Sequence, residues 1–310
     1  MSTLLIDSPR LGHDRYWSWR GWRIHYCYLR PRSATSAPPL LLVHGFGAAL
    51  GHWRNNLKPW SESHPVYALD LLGFGRSQKA GANYNPAFFA ELIADFCDTF
   101  IQRPVILVGN SLGSVVSLLT AHRYSDRVRG LVLINLPDAS LLSRSLPQEP
   151  PNPPALLKAV GDSIRYWVTF LLTSPVVINP LLAIVRSPQI LYPALRNAYA
   201  DPRWVDEELK ALIREPAHEP QAALALRCLT RGMGIVAPSD QARSTLPQMQ
   251  LPILLIWGKQ DRLVPPQLAR RCVALNPRIH LVELDQAGHC PQDECSDRVN
   301  AIVLEWLASL

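Results

Sequence analysis

The stretch Val105-Ile106-Leu107-Val108-Gly109-Asn110-Ser111-Leu112-Gly113 decides how the rest of the chain is read. Its four leading apolar residues are too few for a helix and carry no polar alternation, as in a strand buried on both faces. A helical stretch follows over residues 112–124. Between them stands Gly-x-Ser-x-Gly, the pattern of a nucleophile elbow, in which small residues let the chain turn sharply from strand to helix and present the serine hydroxyl above the sheet edge. The pentapeptide alone occurs by chance in many proteins, and its setting between strand and helix makes it specific. The rival reading of Ser111 is a helix N-cap.

Working outward, residues 40–43, 66–69 and 131–134 repeat the short unalternating apolar run, and residues 86–100 repeat the helical pattern. Strand and helix in alternation predict a parallel sheet with right-handed crossovers. Upstream, residues 16–28 alternate large and polar around Arg20-Gly21, a hairpin pattern. The rhythm stops at Pro137, where prolines cluster, and resumes after Pro252 with strands at 253–257 and 279–284 and a final helix whose Val299, Ile302, Val303, Trp306, Leu307 and Leu310 share one face. The expected organisation is therefore a core from 1–136 and 248–310, interrupted by a helical lid over 137–247. Within that lid Asp201-Pro202 reads as a helix start, and Val205, Leu209, Leu212 and Ile213 form a stripe. Residues 166–185 carry no charge. Their length suits a spanning helix, but Pro175 and Pro180 would break the hydrogen bonding that lipid requires, so a pair of short apolar lid helices is expected instead.

Composition excludes several classes. At 310 residues, 48% hydrophobic and 18% charged, the chain is neither disordered nor coiled-coil in character. The whole net charge of +6 comes from residues 1–60, where eight Arg and Lys face Asp7 and Asp14. Those arginines alternate with Trp and Tyr on predicted strands and form no basic run, which argues against nucleic acid. Six cysteines without CxxC or zinc-ligand spacing read as reduced thiols, and residues 1–10 lack the features of a signal peptide.

A serine hydroxyl needs a base, and the base needs an orienting acid. Asp261, in Gly258-Lys259-Gln260-Asp261, and His289, in Gln286-Ala287-Gly288-His289-Cys290-Pro291, both fall in loops at the carboxyl ends of predicted strands. Asp138, just past the strand at 131–134, is a second candidate for the acid. The rival for His289 is a hydrogen-bonded loop histidine, and the other histidines, His25 and His52 among them, default to surface or packing roles. His44-Gly45-Phe46-Gly47 closes the strand at 40–43 where a second oxyanion donor belongs, which makes the backbone N–H groups of Phe46 and Leu112 the expected pair. Residues 70–77, DLLGFGRS, are a glycine-punctuated turn and not a dinucleotide fingerprint.

The set HGFG, DLLGFGRS, GNSLG, GKQD and AGH resembles the α/β-hydrolase superfamily over nearly all the chain outside the lid. That resemblance implies an α/β fold with a mostly parallel eight-stranded sheet, helices on both faces and an inserted lid, with Ser111, His289 and Asp261 as catalytic residues and no cofactor or metal. Finer features are similar to the chlorophyll dephytylase and pheophytinase branch of plants and cyanobacteria: the Trp17-Ser18-Trp19-Arg20-Gly21 hairpin, His52-Trp53-Arg54, residues 66–75 and residues 287–294, while the lid matches in Tyr199-Ala200-Asp201 and little else. Gln292 departs from that pattern, where histidine is frequent, and so does Ser114, where a third glycine is common. The branch implies a serine esterase that removes phytol from chlorophyll or its Mg-free derivative at an anionic thylakoid membrane surface. Tyr166, Trp167, Phe170, Leu171, Val177 and Leu181 would then line the groove for the alcohol. Two rivals stand beside it: a C–C bond hydrolase on the same triad, and a pigment carrier without turnover. Dehalogenase and epoxide hydrolase chemistry would need Asp at position 111.

Overall fold

The computed structural model describes residues 13–141, 183, 186–233 and 237–310. The N-terminal hairpin pairs β1 (His13–Trp19) with β2 (Trp22–Leu29) in register Trp19↔Trp22. Its turn, Arg20-Gly21, has positive φ at both positions, the twist that suits a two-residue hairpin. The remaining strands are β3 (Leu40–Val43), β4 (Val66–Leu69), β5 (Val105–Asn110), β6 (Val128–Ile134), β7 (Ile253–Gly258) and β8 (Ile279–Leu284). They form one eight-stranded sheet of order β1-β2-β4-β3-β5-β6-β7-β8, antiparallel at β1-β2 and β2-β4 and parallel from there on. Every residue of β3, β5 and β7 is buried, which is why those runs show no alternation.

Alternate residues of the central strands feed two cores. Leu41, Val43, Leu107, Leu131 and Leu255 pack with Phe89, Phe96 and Val116, whereas Leu40, Leu42, Ile106, Val108 and Ile256 pack with Trp53, Leu57, Val303 and Trp306. The sheet is thus covered on one face by α1 (Leu57–Ser61) and the last helix, and on the other by α2 (Pro86–Phe96) and α3 (Leu112–Arg123). Asn85 caps α2 by accepting from Phe88 N–H, with Pro86 in the first turn. That helix runs on as a π-turn through Cys97–Ile101 and ends at Gln102 in the left-handed region.

Between β6 and β7 the described chain forms α4 (Pro188–Ala198), α5 (Glu207–Arg214) and α6 (Ala222–Met233). Asp201-Pro202 starts only a single 3-10 turn, Pro202–Trp204, and α5 is capped instead by Asp206, which accepts from Leu209 N–H. After β7 come α7 (Gln267–Leu275), β8 and α8 (Ser296–Ala308). Leu310, expected on the apolar face of the last helix, lies past its end and is 42% exposed. No described helix is long and apolar enough to cross a membrane. Most of the uncharged stretch, 166–182 with 184 and 185, lies outside the described residues.

Candidate active site

Ser111 sits between β5 and α3 with φ 53° and ψ −116°, a backbone conformation that an L-residue adopts only under constraint. The flanking glycines make the turn possible. A Cβ on Gly109 would stand 2.3 Å from the Gly113 carbonyl, and one on Gly113 would stand 2.0 Å from the Val43 oxygen. Although Ser111 occupies the N-cap position of α3, its side chain makes no capping hydrogen bond. It instead lines a cavity of about 350 Å³ with Phe46, Pro86, Val115, Pro137 and Gln241.

His289 reaches the same end of the sheet from the loop after β8. Its Nδ1 lies 2.8 Å from Oδ2 of Asp261, the acid in the loop after β7. The other carboxylate oxygen of Asp261 accepts the backbone N–H groups of Leu263 (2.8 Å) and Val264 (2.9 Å), and Asn135 Nδ2 donates to Oδ2. Asn135 itself is fully buried just past β6; it also donates to the Gly288 carbonyl and accepts from Gly258 N–H. Asp138, the rival acid, accepts from the backbone N–H groups of Ser140 and Ala242, so both its oxygens are engaged away from the imidazole. Ser111 and His289 share no hydrogen bond in this structure. The elbow and the loop are tied by the neighbouring residue, as Asn110 Nδ2 donates to the His289 carbonyl at 3.1 Å. Contacts between nucleophile and base are often long without substrate and tighten when it binds.

The loop after β3 closes on the elbow from the side. A Cβ on Gly45 would lie 3.4 Å from Ser111 Cβ, and Phe46 beside it is 49% exposed on the cavity wall. His44 accepts from Leu71 N–H through Nε2 and donates through Nδ1 to its neighbour's carbonyl, Gly45 O. Burial lowers its pKa, in keeping with the neutral ring that this pattern needs. Phe46 also borders a smaller, apolar cavity of about 110 Å³ between Phe74 and the insertion's Ile213, Leu226 and Leu229.

Two histidines given surface or packing roles by default make buried polar contacts. His25 Nδ1 contacts Asp70 Oδ2 at 2.6 Å, and its Nε2 contacts Asp14 at 2.9 Å. Asp70, fully buried after β4, accepts Leu50 N–H at 2.6 Å and Arg76 N–H at 2.8 Å. Burial alone would raise the Asp70 pKa, but bonding and charge from His25 outweigh it and hold it near 2. His52, buried in the turn Leu50–Trp53, contacts Tyr199 OH of the insertion at 3.0 Å, and burial pushes its pKa down to about 4.

Tyr166, Trp167, Phe170, Leu171, Val177 and Leu181, expected to line a substrate groove, lie outside the described residues. Sequence reading missed Asn110, Asn135, Asp70, Tyr199 and Glu294 as site-building residues. Asn135 and Asp70, each one residue past a strand end, and Asn110, the last residue of β5, are where side chains aimed at the strand-end loops could have been sought; Tyr199 and Glu294 carry no such signal.

Comparison with known proteins bears on the fold and the family. The chain is 28% identical over 274 residues to the 2-hydroxymuconate semialdehyde hydrolase of Pseudomonas sp. (strain CF600), covering 87% of each. It is 24% identical to the chloroplastic pheophytinase of Arabidopsis thaliana, covering 88% of this chain and 62% of that protein. A meta-cleavage product hydrolase structure superimposes with TM-score 0.73 at 21% identity, over 98% of this chain and 100% of the other. Residues 38–295 match the model of the alpha/beta hydrolase fold family, and the chain belongs to that family.

Proposed function

We propose that the protein is a serine hydrolase of carboxylic esters with large apolar alcohols, phytyl esters of chlorophyll-type pigments foremost. The observation that carries the enzymatic part is the pairing of a constrained, non-capping Ser111 on a cavity wall with a His289 ring held from behind by Asp261. In this reading the Ser111 hydroxyl attacks the ester carbonyl, and His289 Nε2 takes its proton and returns it to the departing alcohol. Water, deprotonated by the same nitrogen, then hydrolyses the acyl-enzyme and restores the serine. Asp261 holds the imidazole throughout. The N–H groups of Phe46 and Leu112 stabilise the oxyanion, which develops only in the tetrahedral intermediates.

The alcohol is inferred from the uncharged residues 166–185, in a chain that also resembles pheophytinase. Tail binding can be used to position the carbonyl, so truncating the alcohol should lower kcat as well as raise KM. Detergent-solubilised phytylated pigments should show kcat/KM at least about tenfold above their ethyl esters, with products resolved by chromatography; equal values would remove the tail from the reading. Labelling of Ser111 by a fluorophosphonate excludes the carrier. The positive N-terminal segment and the apolar stretch further favour peripheral binding to anionic vesicles, weakening with salt.

The 28% likeness to a 2-hydroxymuconate semialdehyde hydrolase over 87% of both chains supports a second reading, C–C bond hydrolysis on the same residues. Bleaching of a ring-fission product, with no pigment ester cleaved, would select it.

A further inference from the structure

Three consecutive residues of the insertion, Ala198, Tyr199 and Ala200, run against the loop that carries His289. The backbone N–H of His289 donates to the Ala198 carbonyl at 2.7 Å. Glu294, only 3% exposed, binds the loop and the insertion together. Its Oε1 accepts the N–H groups of Gly288 (2.7 Å) and Cys290 (3.2 Å), and its Oε2 accepts Ala200 N–H at 2.7 Å. Tyr199 OH donates to Asp293 Oδ2 at 2.9 Å. Asp293 in turn receives Nε of Arg54 at 3.0 Å, and Arg54 Nη1 reaches Asp206 (2.8 Å) and Glu208 (3.1 Å) at the start of α5. The approach is close because residue 288 is glycine: a Cβ there would stand 2.6 Å from Ala198 O and 2.7 Å from Ala200 N.

His289 is therefore held at three points by three parts of the chain. Its ring is held by Asp261, its carbonyl by Asn110 of the elbow, and its N–H by the insertion. We propose that the Ala198–Ala200 strap and the Glu294 carboxylate are positioning elements for His289, so that the docking of the insertion fixes the imidazole against Asp261. A carboxylate suits this place because three N–H groups converge on it and a carboxylate only accepts. An amide of the same shape would set an NH2 group against one of those donors and leave it unpaired. The effect on turnover rests on the triad reading; the effect on the loop does not.

The test compares the full-length protein with Glu294→Gln and, in case that variant does not fold, Ala200→Pro. The second replaces the N–H that Oε2 accepts with a ring Cδ that pushes the carboxylate off the strap, and Tyr199 already has the extended ψ of 144° that a residue before proline favours. Two readouts are independent of activity: amide exchange at His289, and the low-field proton resonance of its Nδ1–H, assigned by its loss in His289→Gln. Exchange should accelerate at least about tenfold and the resonance should shift or vanish, while kcat falls about tenfold or more with KM within about twofold. A folded variant with unchanged exchange and resonance overturns the proposal, and so does a loosened loop with unchanged kcat in an enzyme that labels at Ser111. If the wild-type protein fails to label, the triad reading falls, while exchange and resonance still decide whether the strap holds His289.

Discussion

Two aspartate–histidine pairs are buried among the described residues, Asp261–His289 and Asp70–His25, and their local geometry is nearly the same. In each an Nδ1 faces an aspartate Oδ2, at 2.8 Å and 2.6 Å respectively. Each aspartate follows a strand, β7 or β4, and also accepts two backbone N–H groups. Even a serine accompanies the second pair, since Ser77 Oγ donates to the Asp70 carbonyl and accepts His25 N–H. The difference lies on the far side of the ring. His25 Nε2 is occupied by Asp14, whereas His289 Nε2 has no hydrogen-bond partner among the described residues. Ser77 is fully buried, while Ser111 borders a cavity. A base needs a ring nitrogen free to take a proton from a substrate-accessible hydroxyl, so of the two pairs only Asp261–His289 suits the proposed role.

The sharpest way to break this contrast is to neutralise each aspartate. In the proposed triad the three act as one unit, so Asp261→Asn should lower ester turnover by at least about a thousandfold, alongside Ser111→Ala and His289→Ala. Asp138→Asn should stay within about threefold, its oxygens serving the backbone N–H groups of Ser140 and Ala242 and not the imidazole. Steady-state hydrolysis and fluorophosphonate labelling measure both, and a severe Asp138→Asn with a silent Asp261→Asn would reverse the assignment. Asp70→Asn should act on stability instead. It leaves a buried imidazole with only the part-exposed Asp14 as a charged partner, at a cost of about 3 kcal/mol in denaturant unfolding.

These two pairs were not equally legible in the sequence. Ser111, Asp261 and His289 announce themselves because each follows a strand whose apolar run is unbroken, and a chain that alternates strands and helices places such loops at one edge. The strand positions followed for the same reason: β3, β4 and β8 lie where the runs at 40–43, 66–69 and 279–284 placed them. His25 lies within a strand of the opening hairpin, in phase with exposed Arg23, so the alternation shows neither its burial nor the partner 45 residues away. The roles of Tyr199 and Glu294 were invisible because they depend on where groups of distant loops arrive, and Asn135 offered only its place past a strand end. The stripe expected at Val205, Leu209, Leu212 and Ile213 was readable as amphipathic, but its entry through Asp206 was not, since Asp201-Pro202 offered a stronger start signal.

Asn135 sharpens the comparison on the side of the proposed triad. It supplies Asp261 with a side-chain donor that Asp70 lacks, and it ties Gly288 and Gly258 to the same point. Asn135→Ala should reduce kcat by about tenfold, through a misplaced imidazole, with little change in KM. An unchanged kcat would show that the N–H groups of Leu263 and Val264 orient Asp261 unaided.

The smallest expected effect is a slope of stability with pH, and it belongs to the structural pair. Burial alone would lower the His25 pKa, but the bonds and charges of Asp70 and Asp14 outweigh it and raise the value above the ordinary 6.5. His25 therefore contributes fully below about pH 6.5 and loses its contribution as pH rises through the raised value. Asp70 contributes fully above the ordinary carboxylate value of about 4 and loses its contribution as pH falls toward about 2. Both contributions are complete only between about pH 4 and 6.5. His44 and His52 act in the opposite sense, since burial holds both neutral and stability falls when acid protonates them in the unfolded chain. The difference between wild-type protein and His25→Gln isolates the first pair. Denaturant unfolding should show that difference shrinking above pH 6.5, with a slope no steeper than the single-proton limit of about 1.4 kcal/mol per pH unit. A difference that stays flat from pH 6 to 9 would mean that His25 is not charged in the folded protein, and that its pair with Asp70 is an ordinary neutral hydrogen bond.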